Sequence, residues 1–363
     1  LDARTRRTRT CMTSFSDDDV RAQIAACKRL FTEHFGGQCS HVVSAPGRVN
    51  LIGEHTDYNE GFVMPFCIQR CTVLAARKIS GTTCRVVSVN EGPGSVTEFP
   101  GDASLAPCTD WTNYMRGVVA QYLPSLPGGS CAFEAAVLST VPLGGGLSSS
   151  ASLEVATATL LQSLYGLQVD PKEKALRCQK CEHTYCDTPC GIMDQMISAC
   201  GRKGAALLID CRPPFATEHV PLNDPDVVLL VANSNVKHKL SGSEYPDRVR
   251  QCKEACAAMR AKGHTQVNFL RDATPATRHR PYISPVSPDI SPVSPLYLPG
   301  QLPARRDAGA ARVLRGHSLP GGDEACVSRH LRGPKDDRGK GGAQGSGLRA
   351  GGRAHAPEPC LPP

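Results

Sequence analysis

The sequence contains no apolar run that approaches the roughly 20 residues needed by a membrane-spanning helix. It also has no hydrophobic signal peptide at its start, and its 18 cysteines lack the spacing of a disulfide framework. These features predict a soluble, cytoplasmic protein with reduced thiols and no membrane partner.

Excess charge is missing from the part of the chain that shows hydrophobic patterning. The net charge is +7, but residues 276–363 carry 13 Lys and Arg against 7 Asp and Glu, and residues 1–10 carry 4 against 1. This leaves −2 for residues 11–275. Because the basic residues lie in weakly patterned segments, we expect no nucleic-acid partner.

The two ends of the chain differ in composition from its middle. Thirteen of the 29 prolines lie at or after Pro281, and residues 283–289 are followed at once by a near-identical copy at 290–296. We interpret residues 276–363 as a disordered, non-homologous tail, either a native Pro-rich segment or translation out of frame or into an intron. The composition favours translation out of frame or into an intron over a native segment. Residues 1–15 are interpreted as a disordered leader.

Between these ends, helical and strand patterns interleave without the strict alternation of a doubly wound sheet, which predicts an α+β fold. One helix is expected after the capping residue Ser16 and ends at Gly36-Gly37, and another carries the apolar stripe Leu153–Leu164 and ends at Gly166. A third helix is expected at Tyr245–Met259. Strands are predicted at His41–Ala45, Phe62–Ile68, Cys71–Ala76, Arg85–Val89, Ala132–Leu138, Ala205–Ile209 and Val227–Val231.

The segment Val141–Ala151 reads Val-Pro-Leu-Gly-Gly-Gly-Leu-Ser-Ser-Ser-Ala and precedes a predicted helix. Its glycines allow close approach of an anion to the backbone, and the helix N-terminus favours negative charge. It is not a Walker loop, because no Gly-Lys-Ser/Thr follows. A glycine-rich turn without a ligand explains the same pattern equally well.

The segment Ser44–Tyr58 concentrates polar groups between apolar strands. It holds the cation Arg48, the carboxylates Glu54 and Asp57, and the imidazole of His55. Such a set can satisfy the hydroxyls of a desolvated polyol. The alternative is a solvated polar loop, and His55 by itself is more typical of a structural histidine.

Asp194 lies between apolar neighbours in Pro189–Gln195. A buried acid of this kind either pairs with a cation or acts as a base. Arg48 is a candidate cation, although no sequence rule brings the two residues together.

Cys178, Cys181, His183, Cys186 and Cys190 superficially resemble a zinc cluster. Structural zinc sites usually take ligand pairs from two separate segments, whereas these candidates share one short stretch. We therefore interpret them as free thiols, with zinc as the alternative.

Together these segments resemble the galactokinases of the GHMP small-molecule kinase family. Gly47–Tyr58 resembles the galactokinase signature and Pro142–Ala151 the ATP-binding motif of the family, and the likeness extends from about residue 40 to about 274. The resemblance implies a GHMP kinase fold. Its N-terminal domain, at 16–220, would resemble ribosomal protein S5 domain 2, and 221–275 would be an incomplete ferredoxin-like C-terminal domain.

The resemblance also implies individual roles and a reaction, the ATP-dependent phosphorylation of the 1-hydroxyl of α-D-galactose by a cytoplasmic monomer. Asp194 matches the catalytic carboxylate and Arg48 the cation beside it. The matched galactose-binding positions are Arg48, Glu54, His55, Asp57, Gly191, Asp194 and Tyr245; the ATP-binding positions are Gly144, Gly146, Ser148 and Ser149; and Ser149 and Glu182 match the Mg²⁺ position.

The sequence departs from the family pattern in one respect. A third, glycine-rich motif of the type Gly-Gly-Gly-Phe-Gly-Gly does not occur, so we expect little or no kinase activity and poor solubility from this chain. Two alternative functions are an N-acetylgalactosamine kinase and a non-catalytic galactose-binding regulator. The run Glu54–Phe62 favours galactose, and the intact Ser148–Ser152 run argues against the regulator.

Overall fold

In the computed structural model, the described residues are 16–90, 94–222, 224, 226–232 and 245–277. The predicted leader at 1–15 lies outside them, as does the tail predicted at 276–363 except for its first two residues. Residues 233–244, which carry part of the family resemblance, also lie outside them. The domain boundary near residue 220 stays a prediction.

The first helix shows how local sequence determines an element. Ser16 accepts a hydrogen bond from the Asp19 amide, and the Asp19 carboxylate accepts one from the Ser16 amide, which forms a capping box. Cys27 and Phe31 lie four residues apart and are fully buried on one face. The helix ends at Phe35, because Gly36 adopts a positive φ that glycine tolerates.

The α-helices of the described residues are α1 (Asp17–Phe35), α2 (Asn113–Tyr122), α3 (Ser149–Tyr165), α4 (Pro171–Tyr185), α5 (Met193–Cys200) and α6 (Tyr245–Ala261). The strands are β1 (His41–Asn50), β2 (Phe62–Val63), β3 (Pro65–Lys78), β4 (Thr83–Ser88), β5 (Thr97–Pro100), β6 (Phe133–Ser139), β7 (Ala205–Asp210) and β8 (Thr217–Pro221). The α+β class predicted from the sequence is confirmed.

These strands form one mixed sheet in the order β2-β7-β3-β6-β4-β5, in which β1 also pairs with β3 and β8 with β7. The pairing of β4 with β6 is parallel, and the other pairings among the described strands are antiparallel. The long strand β3 therefore holds β1 and β7 within one layer.

Alternating side chains of β3 and β6 divide the core between the two faces of the sheet. Val73, Ala75 and Ala136 pack with α1 on one face, whereas Leu74 and Ala135 belong to the cluster formed with α2, α3 and α4 on the other. Helix α5 packs on β7 through a third cluster. The face that carries α3, α4 and α5 is the one that positions the candidate site.

The structure corrects four of the predicted strands. The strand predicted at His41–Ala45 continues to Asn50, and the separate strands predicted across 62–76 are a two-residue β2 followed by the continuous β3. The buried strand predicted at Val227–Val231 is wrong. This segment pairs with no strand of the described sheet, and its side chains are exposed, to 83% at Val228.

The other predicted helices and strands are confirmed, and most of their ends lie within two residues of the predicted ends. Helix α3 begins earlier than its predicted apolar stripe, at Ser149, and ends at the positive-φ residue Gly166. None of the described helices is both long and apolar enough to cross a bilayer.

Candidate active site

An irregularity in the pairing of β1 with β3 lies where the signature segment approaches the glycine-rich loop. The register shifts between Pro46 and Arg48, so that Gly47 of β1 lies opposite three residues of β3, Ile68–Arg70. A Cβ at Gly47 would lie 2.7 Å from the Leu147 carbonyl oxygen, so only glycine allows this approach. The Arg48 amide then donates to the Leu147 carbonyl at 3.2 Å, which places the Arg48 side chain beside the loop.

Arg48 and Asp194 form a bidentate ion pair. Arg48 Nε donates to Asp194 Oδ1 at 2.7 Å, and Arg48 Nη2 donates to Oδ2 at 2.8 Å. The remaining Nη1 donates to the Gly146 carbonyl at 2.7 Å, and the Ser148 hydroxyl donates to Asp194 Oδ2 at 2.5 Å. The pairing that the sequence left open is therefore present, and it joins the signature segment, the glycine-rich loop and α5.

Ser148 occupies the N-cap of α3 but does not cap it. Its backbone is left-handed, with φ 61° and ψ 50°, and its hydroxyl is directed to Asp194. A capping serine would normally accept from the first-turn amides, so here its side chain leaves those amides available to an anion. Gly144 and Gly146 also have positive φ values, which shape the loop in front of the helix.

Asp57 and Gly191 are in tight contact at the sugar side of the predicted site. A Cβ at Gly191 would lie 2.0 Å from Asp57 Oδ2, so this close packing requires glycine. Burial, followed by the nearby charge of Asp194, raises the pKa of Asp57 to about 6. Three of the sugar-site residues that the resemblance implied thus lie close to one another.

His55, Tyr58 and Tyr245 form a cluster of three rings. The ring centroids of His55 and Tyr245 are 5.6 Å apart, and those of Tyr58 and Tyr245 are 5.4 Å apart in an edge-to-face arrangement. Asn59 Nδ2 donates to Cys252 Sγ at 3.4 Å, which also links this turn to α6. Tyr245 is consequently placed against the signature segment, although about 190 residues separate them.

A buried polar cluster lies where α3, α4 and α5 meet, and of its residues only Glu182 was predicted to bind a ligand. Gln195 Nε2 donates to Glu154 Oε2 at 3.2 Å and to Glu182 Oε1 at 3.4 Å. Burial raises the pKa of Glu182 to about 7 and the pKa of Glu154 well above its ordinary value. An acidic residue inside the otherwise apolar stretch of α3 is the signal that could have identified Glu154.

The donors of this cluster fit a hard divalent cation. Carboxylate and hydroxyl oxygens are the ligands that Mg²⁺ prefers, and the buried Glu154 Oε1 and Gln195 Oε1 atoms lack a hydrogen-bond partner. The Glu182 carboxyl bonds to the hydroxyl of Ser150, the residue after the predicted ligand Ser149. Among the described residues, no group of three or more His, Cys, Asp or Glu side chains is arranged to bind a metal, and this includes the thiols considered for zinc.

Two other predicted site residues, Glu54 and Gly144, lie at exposed positions. Glu54 is exposed at the start of the signature turn, and Gly144 is exposed in the glycine-rich loop. The contacts described above do not link either residue to Asp194. Tyr58, Glu154 and Gln195 are the additions that the structure makes to the candidate site.

Two family models match this chain. The "Galactokinase galactose-binding signature" matches residues 29–78, and the "GHMP kinases N terminal domain" matches residues 113–202. The ion pair described above joins the two matched regions, because Arg48 lies in the first and Asp194 in the second.

Curated relatives and a solved structure agree with these matches. The chain is 48% identical to the galactokinase of Homo sapiens over 256 residues, which is 68% of this chain and 64% of the relative, and 47% identical to that of Canis lupus familiaris over 243 residues, which is 65% and 61%. The crystal structure of Lactococcus lactis galactokinase complexed with galactose superposes with a TM-score of 0.61 at 32% identity, covering 66% of this chain and 62% of that one. The chain therefore spans less than two thirds of the length of these relatives.

Proposed function

The chain is a member of the galactokinase branch of the GHMP kinase family, and from this membership we propose that its function is the ATP-dependent phosphorylation of α-D-galactose at the 1-hydroxyl. The products are galactose 1-phosphate and ADP. The observation that carries the proposal is the Arg48–Asp194 ion pair, to which Ser148 of the glycine-rich loop also donates. It supports a sugar site and a phosphate site that meet at one carboxylate.

The Asp194 carboxylate can accept a further hydrogen bond from a substrate hydroxyl. A carboxylate has about four lone-pair sites, and Arg48 and Ser148 occupy one on Oδ1 and two on Oδ2. The 1-hydroxyl of the sugar can donate to the free site on Oδ1, where Asp194 orients it or accepts its proton. Arg48 and the N-terminus of α3 stabilise the negative charge that spreads over the transferred phosphoryl group.

The phosphates of ATP are assigned to the loop of Gly144 and Gly146 and to the first residues of α3, Ser148 and Ser149. Ser149 and Glu182 would hold Mg²⁺ there. Bound Mg²⁺ neutralises phosphate charge and orients the phosphoryl group for in-line transfer. The buried Glu182 carboxyl lies on α4 behind the loop, with Gln195 donating to it.

Galactose is assigned to the signature turn and the segments packed against it. Glu54, His55 and Asp57 supply donors and acceptors for its hydroxyls, Gly191 gives the close approach to Asp57, and Tyr245 closes the site from α6. We propose that the protein acts as a cytoplasmic monomer.

The test combines binding and turnover on the 363-residue chain. Calorimetry with galactose, with and without ATP and Mg²⁺, measures the two sites, and ³¹P NMR follows formation of the sugar phosphate. We expect saturable galactose binding, with any product lost in Asp194→Ala; the sequence predicts that turnover is small or absent. Absence of binding by either substrate would contradict the proposal. Tighter binding of N-acetylgalactosamine than of galactose would favour the alternative sugar.

A further inference from the structure

The imidazole of His55 is held by a hydrogen bond within its own turn. Tyr58 Oη lies 2.7 Å from His55 Nδ1, and Asn59 Nδ2 donates to the His55 carbonyl at 2.9 Å. The His55 backbone is left-handed, with φ 61°, which is uncommon for a residue other than glycine. Both its backbone and its ring are therefore constrained by residues three and four positions later.

The chemistry of the two groups determines the direction of the Tyr58–His55 hydrogen bond. Burial raises the pKa of Tyr58 above its ordinary value, so the phenol keeps its proton at neutral pH. Cys252 is also beside the hydroxyl, but a thiol sulfur is a much weaker acceptor than an imidazole nitrogen. The hydroxyl proton is accordingly donated to Nδ1, and the ring proton of neutral His55 resides on Nε2.

Tyr58 is itself fixed by aromatic contacts. Its ring meets His55 edge-on at 5.8 Å between centroids and meets Tyr245 of α6 in the same manner at 5.4 Å. Because the Tyr58 ring is packed on two sides, its hydroxyl occupies one position, whereas an unpacked tyrosine side chain would sample several rotamers. The packing thus orients the hydrogen bond as well as the ring.

We propose that Tyr58 is a positioning residue that holds neutral His55 in its Nε2–H tautomer, so that His55 presents a donor to a hydroxyl oxygen of the sugar. This inference depends on the proposed function in one respect, which is that the ligand is galactose. The relationship between Tyr58 and His55 is a property of the chain without a ligand, and it can be measured separately.

The first measurement is the histidine side-chain ¹⁵N spectrum of the labelled 363-residue chain at about pH 8, where an ordinary imidazole is neutral. The His55 signals are assigned by their loss in His55→Gln. We expect the Nε2–H tautomer, with the Nδ1 resonance shifted by an accepted hydrogen bond, and loss of that shift in Tyr58→Phe. An Nδ1–H tautomer, or identical His55 signals in Tyr58→Phe, would overturn the proposal.

The second measurement is galactose affinity by calorimetry. Tyr58→Phe keeps the ring and removes the hydroxyl, and we expect about 3- to 10-fold weaker binding, the range for one hydrogen bond. Tyr122→Phe is the matched control, because the Tyr122 hydroxyl is buried without a partner, and its affinity should equal that of the wild type. When His55 has already been changed to Ala, adding Tyr58→Phe should not weaken galactose binding further.

The two measurements separate the possible failures. The expected tautomer together with wild-type affinity in Tyr58→Phe would overturn the positioning role. Equal losses from Tyr58→Phe with and without His55 would also overturn it, since the effect would then be purely structural. If the wild-type chain binds no galactose, the proposed function fails, and the ¹⁵N spectrum alone decides the relationship of Tyr58 to His55.

Discussion

Arg48 and Asp194, 146 positions apart in the sequence, are joined by two parallel hydrogen bonds of 2.7 and 2.8 Å. The guanidinium is 14% exposed and the carboxylate 29%. The pair thus combines a charge-assisted, bidentate geometry with substantial loss of solvent, which is the arrangement in which an ion pair has the largest effect. It also connects β1 with α5, so its loss affects both the site and the fold.

Removing one partner of this pair should destabilise the protein. Arg48→Ala leaves the Asp194 carboxylate with only Ser148 as donor, and we expect a loss of about 1–3 kcal/mol in the free energy of unfolding. Urea denaturation measures it. Arg21→Ala breaks the exposed pair with Asp18 and should change stability by less than about 0.5 kcal/mol. Equal effects of the two changes would mean that the Arg48 pair is no more than a surface contact.

Gly191→Ala should damage the sugar site. The added methyl group would lie 2.0 Å from Asp57 Oδ2, so the carboxylate or the loop must move. We expect at least about tenfold weaker galactose binding, which corresponds to about 1.4 kcal/mol, measured by calorimetry. Glu33→Ala is the control, because Glu33 is exposed on α1, which packs on the other face of the sheet from α3 and α4. The assignment of Asp57 to the sugar site would be wrong if Gly191→Ala bound galactose normally.

The raised pKa of Asp57 predicts a dependence of stability on pH. The unfolded chain loses this proton near its ordinary value of 3.8, whereas the folded chain keeps it up to about 6. Between these values the folded state binds more protons, so the Asp57 contribution to stability falls as pH rises. Relative to Asp57→Asn, the wild type should lose roughly 2–3 kcal/mol between pH 4 and pH 6, at about 1.4 kcal/mol per pKa unit.

Urea unfolding of the wild type and Asp57→Asn at several pH values provides that comparison. Because Glu154 and Glu182 titrate in both proteins, their contribution cancels in the difference between the two curves. A constant difference from pH 4 to pH 7 would show that Asp57 ionises with its ordinary pKa.

How much of this could be predicted from the sequence depends on the range of the interaction. The N-cap Ser16 of α1 and the glycine that ends α3 are local patterns, and the sequence predicts both. The Arg48–Asp194 pair and the contact of Tyr245 with His55 require the sheet to bring distant segments together, and no local pattern encodes that. Residues 227–231 are apolar enough for a core strand, but they pair with no strand of the described sheet and are exposed, because apolar composition alone does not determine pairing or burial.

Glu182 should mediate the effect of Mg²⁺. We expect that Mg²⁺ increases the melting temperature of the wild-type chain in the presence of ATP, and that EDTA removes this increase. Glu182→Gln keeps the side-chain volume and should abolish the Mg²⁺ effect. Glu173→Gln lies on the same helix but is exposed and paired with Arg177, so it should respond to Mg²⁺ like the wild type. A full Mg²⁺ response in Glu182→Gln would contradict the assignment.

The most direct measurement of the galactose site is a calorimetric titration of the 363-residue chain with galactose, repeated with Asp57→Asn. Asp57 is a partly buried acceptor packed on Gly191, and the amide cannot replace its charge. We predict saturable binding to the wild type and at least about tenfold weaker binding to the variant, as expected for a hydrogen bond to a charged group. No heat of binding with the wild type, or equal affinity in the two proteins, would contradict a galactose site at this position.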